Sequence, residues 1–142
     1  MSKFSERLEQ LLFYARLNPP QFAEIIGCKR NTINRYLNGS SPKVEIFVRM
    51  ANYFQCTSEF LLGLEEENSA TNFKECPPFS QQLKFLLEHF KISKYKLKQG
   101  INIAESAIYS WQNGATSPTM DSVIKIAKFF NRSIDFILGR EV

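Results

Sequence analysis

Apolar positions along the chain recur with a helical period rather than in alternation. Leu8, Leu11, Leu12 and Ala15 stand at i, i+3, i+4 and i+7, and Leu83, Leu86, Leu87 and Phe90 repeat the pattern. Each set predicts a first helix. Asn18 is then an N-cap followed by Pro19, at the first helical position, where a missing N–H costs nothing. Ser93 is the matching cap later in the chain. The second helix is predicted to run to about Ile26, with Phe22, Ala23 and Ile26 inward, and to stop at Gly27. A third helix over about Arg30–Leu37 stops at Asn38-Gly39, two residues that tolerate a left-handed ending. A loop with Pro42 or Pro118 precedes a fourth helix, near Val44–Phe54 and Met120–Phe130. Glu45 and Asp121 sit in its first turn, on the favourable side of the helix dipole. A short last helix opens at Thr57-Ser58 or Ser133 and closes at Gly63 or Gly139. No segment alternates with period two over a convincing length, so the expected fold class is all-α.

The pattern is one plan used twice. With an offset of 75, Phe4-Ser5 falls on Phe79-Ser80, Ile33 on Ile108, and Asn38-Gly39 on Asn113-Gly114. One inserted residue moves the offset to 76. Pro42 then meets Pro118, Ala51 meets Ala127, and Phe60, Leu62, Gly63 and Glu65 meet Phe136, Leu138, Gly139 and Glu141. Helical periodicity does not demand the Asn-Gly match or the shared Phe-x-Leu-Gly ending. The expected division is a first domain at 1–64, a linker at 65–78 and a second domain at 79–142, each domain with five helices. The linker opens with Glu65-Glu66-Glu67 and ends in Pro77-Pro78. Phe73 is its one large apolar residue, available to dock on a domain.

Composition narrows the function. Across 142 residues, 44% are hydrophobic and 23% charged, close to globular averages. The 13 Phe against one Trp and five Tyr suit two small cores. No apolar run is long enough to span a membrane. The N-terminal stretch Ser2–Arg7 carries charge where a signal peptide would be apolar. Cys28, Cys56 and Cys76 are far apart, without a CxxC, so neither a disulfide framework nor a zinc site is expected. A reducing cytoplasm suits them better. Cys28 and Cys56 are expected as buried thiols and Cys76 as exposed. His89, the only histidine, is expected at the surface. No phosphate-cradling Gly motif and no nucleophile–His pair occur, so no enzyme, cofactor or metal is expected.

The segment Leu17–Gly39 resembles the lambda-repressor-like helix-turn-helix family, also called the Cro or XRE type. Phe22-Ala23, the turn at Gly27, Ile33, Tyr36 and Asn38-Gly39 carry the resemblance. Copy two keeps Leu97, Ile101, Ile103, Ile108, Trp111 and Asn113-Gly114. It departs at Lys98 and Asn102, where the family usually has a small residue and Gly; Gly100 is the candidate to compensate. The resemblance implies two tandem domains of this type in a double-stranded DNA-binding transcriptional regulator of prokaryotic or phage kind.

A helix fits the major groove, and its leading residues reach base edges. By resemblance the third helix is the recognition helix. Its reading positions fall on Arg30, Asn31 and Arg35, with Asn34 adjacent; Lys29 and Asn38 lie near phosphate. Arg suits guanine's two acceptors and Asn suits adenine's donor–acceptor pair. The corresponding positions in copy two are Glu105, Ser106, Tyr109 and Ser110, with Asn113 matching Asn38. Glu105 could accept from cytosine but repels phosphate, the serines are permissive, and Tyr109 could stack or touch a thymine methyl. Lys94 holds the start of helix two, where the family contacts the backbone, among Lys91, Lys96 and Lys98.

The formal charge of +4 is unevenly placed. Residues 1–67 hold eight basic and eight acidic side chains, and residues 73–142 hold ten and six. Copy one is therefore expected to specify and copy two to anchor. One chain could act as a pseudo-dimer on half-sites roughly 34–36 Å apart, or form a homodimer. The alternative is a protein-interaction or dimerisation module, with a protein partner on the second domain. Tyr36 and Trp111 are expected as core anchors.

Overall fold

A computed structural model describes residues 2–69 and 72–142. Ala70 and Thr71, in the middle of the expected linker, lie outside the described residues, as does Met1. The described chain is all-helical. It forms two compact units that divide between residues 69 and 72.

The first unit holds α1 (Lys3–Ala15), α2 (Pro19–Ile26), α3 (Arg30–Leu37), α4 (Val44–Phe54) and α5 (Ser58–Leu61). Local chemistry sets most of the ends. Asn18 Oδ1 accepts from the Gln21 backbone N–H while Gln21 Oε1 accepts from the Asn18 N–H, so two orphan donors are satisfied at once. The Thr57 hydroxyl caps α5 by accepting from the Phe60 N–H. Leu8, Leu12, Phe22, Ile33, Phe47, Met50 and Leu61 fill the core. Ala15, at the end of the predicted apolar stripe, is exposed.

The second unit repeats the order with α6 (Phe79–His89), α7 (Lys94–Ile101), α8 (Glu105–Gln112), α9 (Met120–Phe130) and α10 (Ile134–Leu138). Its core is Leu83, Leu86, Leu97, Ile108, Met120, Val123, Ile126 and Ile137. The copies share a contact as well as an order. Phe4 meets Tyr36 at a ring separation of 6.1 Å, and their counterparts Phe79 and Trp111 meet at 6.3 Å.

The two units differ where the sequence departs from the family. Ala23 lets α2 pack most extensively on α3, whereas α7, with the longer Lys98 there, packs most on α9. Gly100 makes its close approach to another helix: a Cβ on it would lie 2.1 Å from the Phe129 ring of α9. Asn102 takes the left-handed turn at φ 54° that Gly27 takes at φ 82°.

The segment expected as a linker is docked at both its described ends. Arg7, buried over the Phe60 ring at 4.0 Å, donates to the Glu65 carbonyl at 3.3 Å and lies 3.6 Å from Glu66. Asn68 bonds the Gln55 carbonyl and the Thr57 N–H. On the other side, Phe73 pairs with Glu141 in an antiparallel bridge, and Lys74 N–H donates to the Arg140 carbonyl. Arg140 is wholly buried, 2.7 Å from Asp135, with its guanidinium 3.7 Å from the centre of the Phe73 ring. Cys76 is half-buried in this cluster rather than exposed.

Two outcomes follow from the cluster. Asp135→Ala strips the buried guanidinium of its carboxylate and is expected to cost about 3–5 kcal/mol. Urea unfolding read by Trp111, the single tryptophan, would detect it; an unmoved midpoint contradicts this account. Burial pushes the Cys76 thiol up from 9.0 to about 11, with Arg140 pulling the other way. The unfolded thiol therefore ionises first. The stability it contributes is complete below pH 9 and is lost as pH rises toward 11. Over that window the wild type should lose more stability than Cys76→Ala.

Candidate nucleic-acid interface

The third helix of each unit is only eight residues long, too short to persist alone in water. Its packing therefore decides both its existence and its direction. On α3, Thr32, Ile33 and Tyr36 are buried. On α8, Ile108 and Trp111 are buried, which makes Tyr36 and Trp111 the expected core anchors. The Ser5 hydroxyl of α1 donates to the Tyr36 carbonyl at 2.6 Å, pinning the C-terminal end of α3 to the core.

The opposite side of α3 is polar and open. Arg30, Asn31, Asn34 and Arg35 are all exposed, as is Lys29 just before the helix. Helical spacing brings the four together on one face. Arg35 is the most constrained: its Nη2 lies 3.5 Å from the Thr32 hydroxyl one turn earlier. Asn38 is exposed, but its amide is spent locally, donating to the Asn34 carbonyl at 2.9 Å. It closes the helix beside the exposed polar face.

One basic residue joins this region that the sequence pattern did not single out. Arg49 of α4 reaches the turn between α2 and α3, where a Cβ on Gly27 would lie 3.9 Å from its Nη1. Its signal in the sequence was only that of an exposed arginine on a fourth helix. Cys28 in that turn is half-buried rather than fully buried. Its thiol is raised by burial, against the pull of Arg49. The Tyr36 hydroxyl is likewise raised, first by burial.

The second unit presents a different surface. Glu105, Ser106 and Tyr109 are exposed along α8. Ser110 is half-buried and bonds the Thr116 hydroxyl at 2.7 Å, and Asn113 Oδ1 accepts from the Ala115 N–H at 2.9 Å. Both side chains thus serve the loop after α8. Lys94, at the start of α7, carries its ammonium 5.3 Å from the Tyr109 ring centre. Lys98 sits 5.8 Å from the Tyr95 ring, and the Tyr95 hydroxyl accepts from Gln99. Lys91 and Lys96 are exposed beside them. His89 is exposed, stacked on Phe85. Among the described residues, no group of His, Cys, Asp and Glu could hold a metal ion. No described helix is long and apolar enough to cross a membrane.

A helix pair joined by a tight turn, with the second helix buried on one side and polar on the other, defines a helix-turn-helix unit. This chain holds two. A model of the family described as Helix-turn-helix matches residues 21–61 and 83–137, one match in each unit and together more than half of the chain. The protein belongs to the helix-turn-helix family of the lambda-repressor-like, Cro/C1 type, in two copies. That family is one of DNA-binding regulators of transcription. A solved crystal structure of a transcriptional regulator from Listeria innocua is similar at 22% identity with a TM-score of 0.39. The similarity covers 51% of this chain and 65% of that one. No curated protein matches the chain.

The pin on α3 can be tested directly. Ser5→Ala leaves the Tyr36 carbonyl without its α1 donor and is expected to cost the first unit about 1–3 kcal/mol. Urea unfolding followed by far-ultraviolet circular dichroism checks it. A change within error would show that α1 does not hold the helix end.

Proposed function

We propose that the protein is a sequence-specific, double-stranded DNA-binding regulator of transcription, with α3 and α8 as the helices that enter the major groove. One observation carries the reading: α3 buries its apolar side and opens two arginines and two asparagines on the other. Arg30 and Arg35 suit guanine, and Asn31 and Asn34 suit adenine. Lys29, the exposed end of α3 at Asn38, and Lys94 on α7 would meet phosphates. On α8, Glu105, Ser106 and Tyr109 face outward, while Ser110 and Asn113 contribute through the loop they hold.

The division of labour is part of the proposal. The first unit specifies and the second, with its lysines, anchors. Phosphate contacts fix position and base contacts select sequence, so the two jobs can be separated between units. The reading faces differ, so a lone chain would prefer a non-palindromic site, and a homodimer a longer site that is palindromic overall. The expected boundaries at 64/65 and 78/79 belong to the same proposal. So does the cytoplasmic, non-enzymatic role.

The full chain titrated against labelled DNA at several salt concentrations tests this. Affinity should fall steeply with salt. Replacing Arg30, Asn31 and Arg35 together by Ala should weaken the preferred site at least about 100-fold, given the ~1–3 kcal/mol carried by each good base contact. Non-specific affinity should change far less. Salt-independent affinity, or a triple variant with its preference intact, would reject the reading. The competing interaction-module reading predicts instead that a protein partner binds the triple variant as tightly as the wild type, with no preferred DNA.

A further inference from the structure

We infer that Lys94 and Tyr109 form a single base-reading device in the second unit, and that it recognises the methyl group of a thymine. The inference rests on the DNA-binding reading above and goes beyond it. It gives a sequence preference to the unit otherwise assigned to anchoring.

Two of the reading positions at α8 already have local partners. Ser110 is engaged with Thr116, and Asn113 is spent on the Ala115 N–H. The largest outward side chain on the helix is then Tyr109, 59% exposed. It occupies the position that Asn34 holds in the first unit, on the same face as the other reading positions. An aromatic ring cannot copy the paired hydrogen bonds of an amide. What an apolar surface can read in the major groove is the thymine C5 methyl.

Exposure alone would leave the ring free to swing. Lys94 limits that freedom. Its ammonium lies 5.3 Å from the ring centre, within the range of a cation–π contact. The contact runs from the first residue of α7 to the middle of α8, so the geometry of the helix pair sets the ring's direction. Tyr95 shows the contrast: its partners Lys98 and Gln99 lie on its own helix, and its hydroxyl is already bonded. Lys94 keeps further N–H donors for a phosphate. One residue can thus aim the ring and hold the backbone beside the base being read.

The test uses full-length wild type, Tyr109→Ala, Tyr109→Phe and Lys94→Gln. Each is first shown to be folded by Trp111 fluorescence. Wild type selects its sites from a random duplex pool. Each thymine in the half-site facing the second unit is then replaced, one at a time, by deoxyuridine, which lacks only the methyl. One replacement should weaken wild-type binding about four-fold, the worth of a buried methyl group. Tyr109→Ala should be indifferent to it, and Tyr109→Phe should keep the sensitivity. Lys94→Gln should lose most of it and also flatten the salt dependence by about one phosphate contact. The inference is overturned if no thymine is selected, if deoxyuridine has no effect on the wild type, or if Tyr109→Ala stays methyl-sensitive. Loss of all duplex binding by the wild type would instead overturn the DNA-binding reading, and this inference with it.

Discussion

The polar faces of α3 and α8 depend on burying the other side of an eight-residue helix. Ile33 and Ile108 are fully buried, and Tyr36 and Trp111 nearly so. Without that burial α3 and α8 would be too short to form. With it, their polar sides can point in one direction only, because a helix anchored by residues three apart cannot rotate about its axis. Phe4 and Phe79 hold the anchors from α1 and α6, and the Ser5 hydroxyl ties down the end of α3. The polar surface of each of these helices is therefore a product of the core.

The same constraint is met differently in the two units. In the first, a small Ala23 and a left-handed Gly27 bring α2 close to α3. In the second, Lys98 leans outward over Tyr95, Asn102 makes the turn, and Gly100 admits the Phe129 ring from α9. Support moves from the partner helix to the fourth helix. The start of α7 carries lysines, one of which reaches Tyr109. A substitution unfavourable for close packing thus coincides with the strongest positive charge on the chain.

Two buried arginines play parallel parts without being repeat mates. Arg7 lies over Phe60 and binds the Glu65 carbonyl; Arg140 lies over Phe73 and pairs with Asp135. Each fastens to its own unit one end of the segment between the repeats. Small units bury a limited fraction of their surface, so fastening these ends adds contacts that a 60-residue core lacks.

The sequence by itself determined the helices, their repeat and the face that α3 turns outward. These follow from local rules: helical spacing, caps at Asn18, Thr57, Ser93 and Ser133, and left-handed stops at Gly27 and Gly139. Only the tertiary structure decided the rest. It brought Arg49 to the turn beside Cys28, spent Asn38, Ser110 and Asn113 on local hydrogen bonds, half-buried Cys76, and set Lys94 against Tyr109. Each is a contact between residues on different elements, or a choice between an internal partner and an outside one. Periodicity gives a side chain's direction on its own helix, but the partner it meets depends on how helices pack.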